Sequence, residues 1–344
     1  MNIGIITFHW ATNYGAILQS LALQEALVNL GHNVEIINYK PRQYDDNILT
    51  FFRFRKFLHL DSYRINRRKE KKLIVFREKY LRQTKRFTTL KRLRQHCNHF
   101  DALITGSDQV LNPSFLTSGE IGGSTAYFLD FGNEDCKRIA YAASFGTTDY
   151  ESRLCEKVRP LIKRFNAVSS RETTGVEIFK LMGAEKPVIV PDPTLLHDHA
   201  FYDKLLNDAG PLENKLRAYI LHNRENFIGK TLSEVGAEII TDQGLECWIN
   251  AIKNSTHFIT NSFHGVVFCL LYKIPFSVVL KTKENVGMND RFYTLLGNLC
   301  LTDRIFSEAE FNSNCMNFNH NWSKIDQKLQ AFRNTGIEFL SKTI

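Results

Sequence analysis

The sequence predicts an α/β protein made of two Rossmann-like, doubly wound domains that face a cleft. Three observations predict it. Short apolar runs rich in β-branched residues end in polar turns and pass into helical rhythms, and this unit recurs along the chain. Two prolines bracket Asp192 in "PDPTLLHDH" and disfavour helix, so that stretch reads as a linker between two such sets. The 344 residues, 43% hydrophobic and 12% aromatic, suffice for two packed cores. The expected division is an N-terminal domain over 1–195 with a basic helical segment at 51–95, a C-terminal domain over 196–322, and a helix at 323–344 returning towards the first domain.

Ile3 to Phe8 is a short apolar strand that meets the polar turn "HWATNYG". Ala16, Leu18, Leu21, Ala22, Leu27 and Leu30 then carry a helical rhythm to Gly31, the helix stop. "NVEIINY" alternates as a strand does, which completes a β-α-β unit. "DALITGS" and "RIAYAASFG" are further strands running into polar turns, "FNAVSSRE" leads into a helix from Thr173 to Leu181, and "KPVIVP" adds a short strand. The second set comprises "LRAYILHN", helices near Asn226 to Ile239 and Leu245 to Asn254, the strand "HFITNS", a helix from His264, and the strand "PFSVVL". Ile325, Leu329, Phe332, Phe339 and Leu340 mark the last amphipathic helix.

The opening "MNIGIITFHW" has no basic leader or small-residue cleavage site and reads as the first strand of a cytoplasmic protein. Phe263 to Leu280 is apolar but contains His264, Lys273 and Pro275, which fits a helix followed by a strand better than a membrane span. Seven scattered cysteines without a C-x-x-C imply a reducing compartment, and Cys269 reads as a small core residue.

The net charge of +8 is unevenly placed. Phe51 to Gln95 holds 17 Lys and Arg against 3 Asp and Glu, a net +14, which leaves the rest of the chain at −6. Leu73, Phe76, Tyr80 and Leu81 give that segment the spacing of an amphipathic basic helix. Three readings compete: a solvated helix face, a peripheral contact with an anionic membrane surface or glycan lipid at the inner face of the cell membrane, and nucleic acid. No zinc-finger, RNP-type or helix-turn-helix signature supports the last, so no nucleic-acid partner is expected.

The stretch "ITNSFHGVVFCLLYKIPF" places Ser262, Phe263 and His264 where a buried strand turns into a buried helix. Such a turn offers backbone N–H groups and the positive end of a helix dipole to an anion, His264 adds a proton donor, and Gly265 admits close approach of a ligand. The alternative is Ser262 as an ordinary N-cap with His264 a satisfied surface residue. There is no G-x-G-x-x-G, P-loop, G-x-S-x-G or D-x-D, which disfavours dinucleotide, NTPase, classical hydrolase and acidic-pair metal chemistry. "HDH" at His197 to His199 and "HCNH" at His96 to His99 lack the companions of a metal site and read as surface loops.

Taken in order, "FHWATNYGAILQSLALQEAL", "DALITGSDQVLNPSF", "YAASFG", "SSRE", "VPDPTLL" and "ITNSFHGVVFCLLYKIPF" resemble the polysaccharide pyruvyltransferase family over about Asn2 to Arg304. The resemblance implies a fold similar to GT-B glycosyltransferases. It also implies transfer of pyruvate from phosphoenolpyruvate to two hydroxyls of a sugar, as a cyclic ketal, in an exopolysaccharide, capsule or lipid-linked glycan precursor. No cofactor is expected; phosphoenolpyruvate is the donor substrate.

Carried onto this chain, the family's donor-site histidine falls on His264 and its upstream arginine on Arg171. Many members have Arg-Leu-His where this chain has Ser262, Phe263 and His264, which removes one positive charge; Lys281, Lys283 and Arg291 are candidates by position to supply it. His264 is the candidate general acid, and Arg171, Ser262, His264 and Gly265 are the candidate donor-binding residues. Asn13 and Tyr14 are either turn chemistry or contacts to the acceptor sugar. Ser107 and Asp108 either cap the segment that follows or line the cleft with Gln109, in which case Asp108 serves as the base for the attacking hydroxyl and Gln109 as an acceptor contact. Two other readings stand beside this one: a GT-B-like glycosyltransferase using a nucleotide-sugar donor, and a non-catalytic glycan- or lipid-binding protein.

Overall fold

Strand β1 (Asn2–Ile6) is buried from Ile3 onward, so both of its faces are covered. It lies inside a wholly parallel sheet of order β2 (Asn33–Ile36), β1, β3 (Ala102–Thr105), β4 (Lys137–Ala143), β5 (Ala167–Ser170) and β6 (Val188–Ile189). Ile3 pairs with Val34 on one side and Ala102 on the other. Beyond β2, residues 82–87 add an irregular parallel edge, with Ile36 N donating to Arg82 O and Phe87 N to Asn38 O, each at 2.7 Å. With that edge the strand order is that of a Rossmann sheet.

This computed structural model describes residues 1–45, 60–117, 124–206, 209–221, 229–241, 244–284, 287–317 and 321–344. The first unit comprises Met1–Leu196 with Thr335–Ile344, and the second His197–Asn334. The second unit's sheet is also wholly parallel, in the order β11 (Ile305–Ser307), β10 (Phe276–Leu280), β9 (Ser255–Thr260), β7 (Lys215–Tyr219) and β8 (Glu238–Ile239). Both units are therefore Rossmann-like.

Helix α1 (Tyr14–Asn29) starts at an Asn13 cap whose Oδ1 accepts from Gly15 N at 2.9 Å and Ala16 N at 3.3 Å, and the chain leaves it through Gly31 at φ +87°. Twelve of its sixteen residues are buried, because the turn Pro193–Leu196 packs on it in addition to the sheet. Asp192 to Leu196, within the stretch the sequence marks as a linker, are interior, and the chain passes to the second unit after Leu196. The prolines do break the helix, but the residues they frame have partners to bury against.

Helix α2 (Leu60–Tyr80) carries most of the described part of the basic segment; residues 51–59 of that segment lie outside the described residues. Leu73 and Phe76 face the core, and Leu81 just beyond the helix is buried with them. Two of the basic residues are interior as well. Arg77 donates to His9 O at 3.4 Å and Ala11 O at 3.5 Å and pairs with Glu70, which in turn accepts from Thr12 Oγ1 at 2.7 Å. Lys69 is 6% exposed, its Nζ 4.1 Å from the centre of the Tyr14 ring. The helix thus pins the loop that follows β1.

Helices α3 (Leu90–His96), α4 (Ser152–Ile162) and α5 (Thr173–Leu181) complete the regular helices of the first unit that bear on its sheet. In the second unit α6 (Leu245–Lys253) and α7 (Phe263–Tyr272) pack together, with Trp248 and Phe268 edge to face at 5.5 Å. Nine of the ten α7 residues are buried, as expected of a helix that is apolar all round. The thiol of Cys269 lies within it, its pKa pushed well up by burial. The helix expected over Asn226 to Ile239 is seen only as Gly229–Glu234, with residues 226–228 outside the described set. Gly236 at φ +72° ends it, and Glu238–Ile239 pairs with β7 instead. Helix α8 (Asp290–Leu299) follows β10, and α9 (Trp322–Thr343) buries Ile325 and Leu329 at one end and Leu340 at the other. Gly336 lets α9 seat in the first unit, since a Cβ there would lie 2.5 Å from the Tyr141 hydroxyl and 2.8 Å from Leu196. Among the described residues no helix is long and apolar enough to cross a membrane.

His9, in the loop that α2 covers, is 1% exposed, with Nδ1 3.2 Å from Thr7 O and Nε2 3.3 Å from Asn38 Oδ1. Burial pushes its pKa from 6.5 down to about 4. The unfolded chain takes up this proton as pH falls through 6.5 while the folded chain does not, so the stability His9 supports is complete above 6.5 and drains at about 1.4 kcal/mol per pH unit towards pH 4. His9→Gln should flatten the dependence of Tm on pH in that window, and a variant profile parallel to the wild type would refute this origin.

Candidate functional site

In open parallel sheets, ligands collect at the carboxyl ends of strands where the strand order reverses. The first unit has that point between β1 and β3. There Thr7 Oγ1 donates to Ser107 O at 2.8 Å and accepts from Gln19 Nε2 at 2.8 Å, which fixes the two strand ends to each other and to α1. Asp108 follows at φ +85°, a conformation that costs a residue with a side chain and tends to be kept where function needs it. Its carbonyl accepts from Ser144 N at 3.0 Å and its Oδ1 from Gln109 N at 2.8 Å. The Gln109 side chain lies over Gly146, where a Cβ would come within 2.6 Å of it.

Arg171 stands at the end of β5 with its side chain 1% exposed. Its Nη1 donates to Asp192 Oδ2 at 2.9 Å and to Ser107 Oγ at 3.2 Å; Ser107 Oγ itself donates to Asp192 Oδ2 at 2.8 Å. Asp108 Oδ1 lies 3.9 Å from Nη2 and Glu172 Oε2 3.6 Å from Nε. Asp192 Oδ1 accepts from Thr194 N at 3.1 Å and Thr194 Oγ1 at 2.6 Å, and Glu172 accepts from Ser144 Oγ at the end of β4. Burial works against the charge of Arg171, but Asp192, Glu172 and Asp108 outweigh it and push its pKa above the ordinary value. Three carboxylates around one guanidinium make this a place that favours hydroxyl donors over a further anion.

The reversal point of the second unit lies between β7 and β9, and the turn singled out from the sequence occupies it. Asn261 closes the two strand ends, accepting from Leu221 N at 2.6 Å and donating to Leu221 O at 2.9 Å. Thr260 Oγ1 donates to Tyr219 O at 2.6 Å and accepts from Ser262 N at 3.0 Å. Ser262 caps α7 by accepting from Gly265 N at 3.3 Å. A Cβ on Gly265 would lie 2.9 Å from Thr260 Oγ1, so the glycine lets the helix seat closely on the strand.

His264, 8% exposed, meets the Phe263 ring edge to face at 5.4 Å. The guanidinium of Arg291 lies 5.7 Å from the centre of the Phe263 ring and 5.5 Å from that of Phe292. Of the three cations named by position, Lys283 is paired with Glu310 at 3.1 Å and Lys281 is exposed, whereas Arg291 borders the turn. The turn therefore joins the positive end of α7, an imidazole and a guanidinium, a set suited to an anion.

The structure thus gathers Asn13, Tyr14, Ser107, Asp108, Gln109 and Arg171 around one sheet's reversal point, and Ser262, His264 and Gly265 at the other's. Asn13 is exposed, while Tyr14 is 1% exposed beneath Lys69 and forms an inner wall. Asp192 was not among the residues expected from the sequence; its signal was an acid held between two prolines directly after a strand. Among the described residues no group of three or more His, Cys, Asp or Glu is arranged to hold a metal ion. His197 stacks on Phe201 at 4.0 Å, and His199 lies 3.4 Å from Asp203.

Several solved structures align with the chain. The S. aureus MnaA complex with UDP does so at 10% identity and TM-score 0.49, over 96% of this chain and 87% of that one. UDP-GlcNAc 2-epimerase of Methanocaldococcus jannaschii, in complex with UDP-GlcNAc and UDP, aligns at 14% identity and TM-score 0.46, over 97% and 93%. E. coli heptosyltransferase WaaC with ADP aligns at 12% identity and TM-score 0.36, over 84% and 90%. No curated protein matches the sequence. Residues 13–280, from the cap of α1 to the end of β10, match the family model described as polysaccharide pyruvyl transferase; both reversal-point turns from Ser107 and from Ser262 fall inside that span, and the chain belongs to this family.

Proposed function

We propose that the protein transfers pyruvate from phosphoenolpyruvate to two hydroxyls of one sugar in a cell-surface polysaccharide or lipid-linked glycan precursor, forming a cyclic ketal. The observation that carries the donor half is His264 in the first turn of α7, with the guanidinium of Arg291 over the ring of the neighbouring Phe263. Phosphoenolpyruvate presents a carboxylate and a phosphate, and the helix end, the guanidinium and a protonated imidazole answer both. His264 is the general acid of this reading and protonates the methylene carbon. The resulting electron-poor C2 accepts one sugar hydroxyl, whose proton passes to a base and from there restores His264 for the next turnover. Phosphate leaves with the C2–O bond pair, the second hydroxyl adds in its place, and the proton it loses ends on phosphate. Atoms and charge balance without a redox step.

In this reading Arg291 supplies the charge that many family members carry where Ser262 stands here. Arg171 already has carboxylates on its fork, so it acts as the frame that holds Asp108 and Asp192, and Asn13 and Gln109 are left as acceptor contacts. The acceptor reaches a cytoplasmic enzyme most directly on the inner face of the cell membrane, where a peripheral encounter with anionic lipid would bring the two together.

Four outcomes are expected. Phosphoenolpyruvate should raise Tm saturably, by linkage to the folded state, where UDP-, GDP- and CMP-sugars do not. His264→Ala should remove that shift and phosphate release while keeping the wild-type Tm; a shift with a nucleotide sugar alone would move the protein to a glycosyltransferase. Arg291→Ala should raise KM for phosphoenolpyruvate about tenfold or more, the scale of one charge-assisted contact, with Lys283→Ala near wild type. Arg171→Ala should cost about 3–5 kcal/mol by stranding buried carboxylates. Should Arg171→Lys instead raise KM for the donor at unchanged Tm, the donor role of Arg171 is restored.

A further inference from the structure

Helix α2 has two faces that separate cleanly. At 100° per residue, Lys69, Leu73, Phe76, Arg77 and Tyr80 fall within an arc of about 100° that packs inward. Arg67, Arg68, Lys71, Lys72, Ile74, Val75, Glu78 and Lys79 fall within an opposite arc of about 160° and are exposed. That outer arc is not uniformly polar: Val75, close to its centre, is 63% exposed, and Ile74, at its edge, is 41% exposed. Five cations and a single carboxylate share the arc with them.

From this arrangement we propose that residues 67–79 form a docking surface for an anionic lipid bilayer, with Ile74 and Val75 entering the interface and Arg67, Arg68, Lys71, Lys72 and Lys79 on the headgroups. The apolar pair decides between polyanions. A nucleic acid would satisfy the cations but leave Val75 and Ile74 against its phosphates, whereas the headgroup boundary accepts both kinds of side chain in one plane. The inner face supplies the rigidity such a surface needs. Arg77 and Lys69 hold the helix to the loop after β1, so the outer face is presented on a fixed support. The inference is argued from this helix alone and gives the peripheral lipid encounter of the transferase reading its surface.

The test is co-sedimentation of the full chain with vesicles of phosphatidylcholine containing about a third phosphatidylglycerol, against vesicles of phosphatidylcholine alone. Binding should require the anionic lipid and weaken steeply as salt is raised. Each cation neutralised should lower partitioning about fivefold, so Arg68→Gln with Lys72→Gln should lower it about twentyfold or more. Val75→Ser should lower it severalfold at an unchanged Tm. Absence of binding to anionic vesicles, or equal binding to neutral ones, overturns the proposal. So does binding that Val75→Ser leaves untouched and duplex RNA displaces, which would mark a general polyanion surface. His264→Ala should bind vesicles as the wild type does, and the Arg68/Lys72 double variant should keep its response to phosphoenolpyruvate. Failure of the surface and failure of the transferase reading are thereby told apart.

Discussion

A buried charge organises the first unit. Arg171 is withdrawn from water at the end of β5, and an isolated guanidinium there would carry a desolvation cost of several kcal/mol. Asp192 removes that cost by direct contact, and it can do so because the prolines on either side fix the backbone that presents it. Ser107 bonds to both partners, Asp108 and Glu172 stand within ion-pair range, and Thr194 holds the other carboxylate oxygen of Asp192. The ends of β3, β4 and β5 and the turn after β6 are joined through one cation. The strained backbone of Asp108 depends on this network, since Ser144 grips its carbonyl while the neighbouring Ser107 is anchored from below. Such an arrangement adds little net stability but makes each member hard to remove.

The second unit reaches the same end with neutral groups. Asn261 and Thr260 close β7 on β9 through backbone bonds, and Gly265 allows α7 to rest against Thr260. No charge is consumed in the process. The imidazole of His264 and the guanidinium of Arg291 therefore stand beside the turn at the positive end of α7, among aromatic rings that hold their positions. The two reversal points thus differ in what surrounds them: three carboxylates about Arg171 at the first, and an imidazole with a guanidinium over the adjoining aromatic ring at the second.

The basic segment illustrates how net charge can mislead when counted along a chain. Lys69 and Arg77 belong to the same run as Arg68 and Lys72, yet they are structural: one lies over Tyr14 and the other holds the carbonyls of His9 and Ala11. Among the described side chains of the helix the outward arc is the exposed one, and its character comes from Val75 and Ile74 as much as from its cations.

Features that depend on neighbours a few positions apart were legible before any fold was known. Asn13 and Ser262 could be read as caps, Gly31 as a stop, Leu73 and Phe76 as an inner helix face, and α7 as a helix buried all round, because capping bonds and periodic burial are local. The placement of Ser262 and His264 at a strand end followed from the same cues. Long-range contacts settled the remainder. Asp192 looks like part of a linker until Arg171, 21 residues earlier, and Ser107, 85 residues earlier, are brought to it. Glu238 and Ile239 continue a helical pattern until β7 offers backbone partners. Arg291 borders Phe263 rather than remaining one of three equivalent cations because α8 begins where it does. Each is a contact between segments distant along the chain, whose gain is set by burial and charge pairing that no local pattern records.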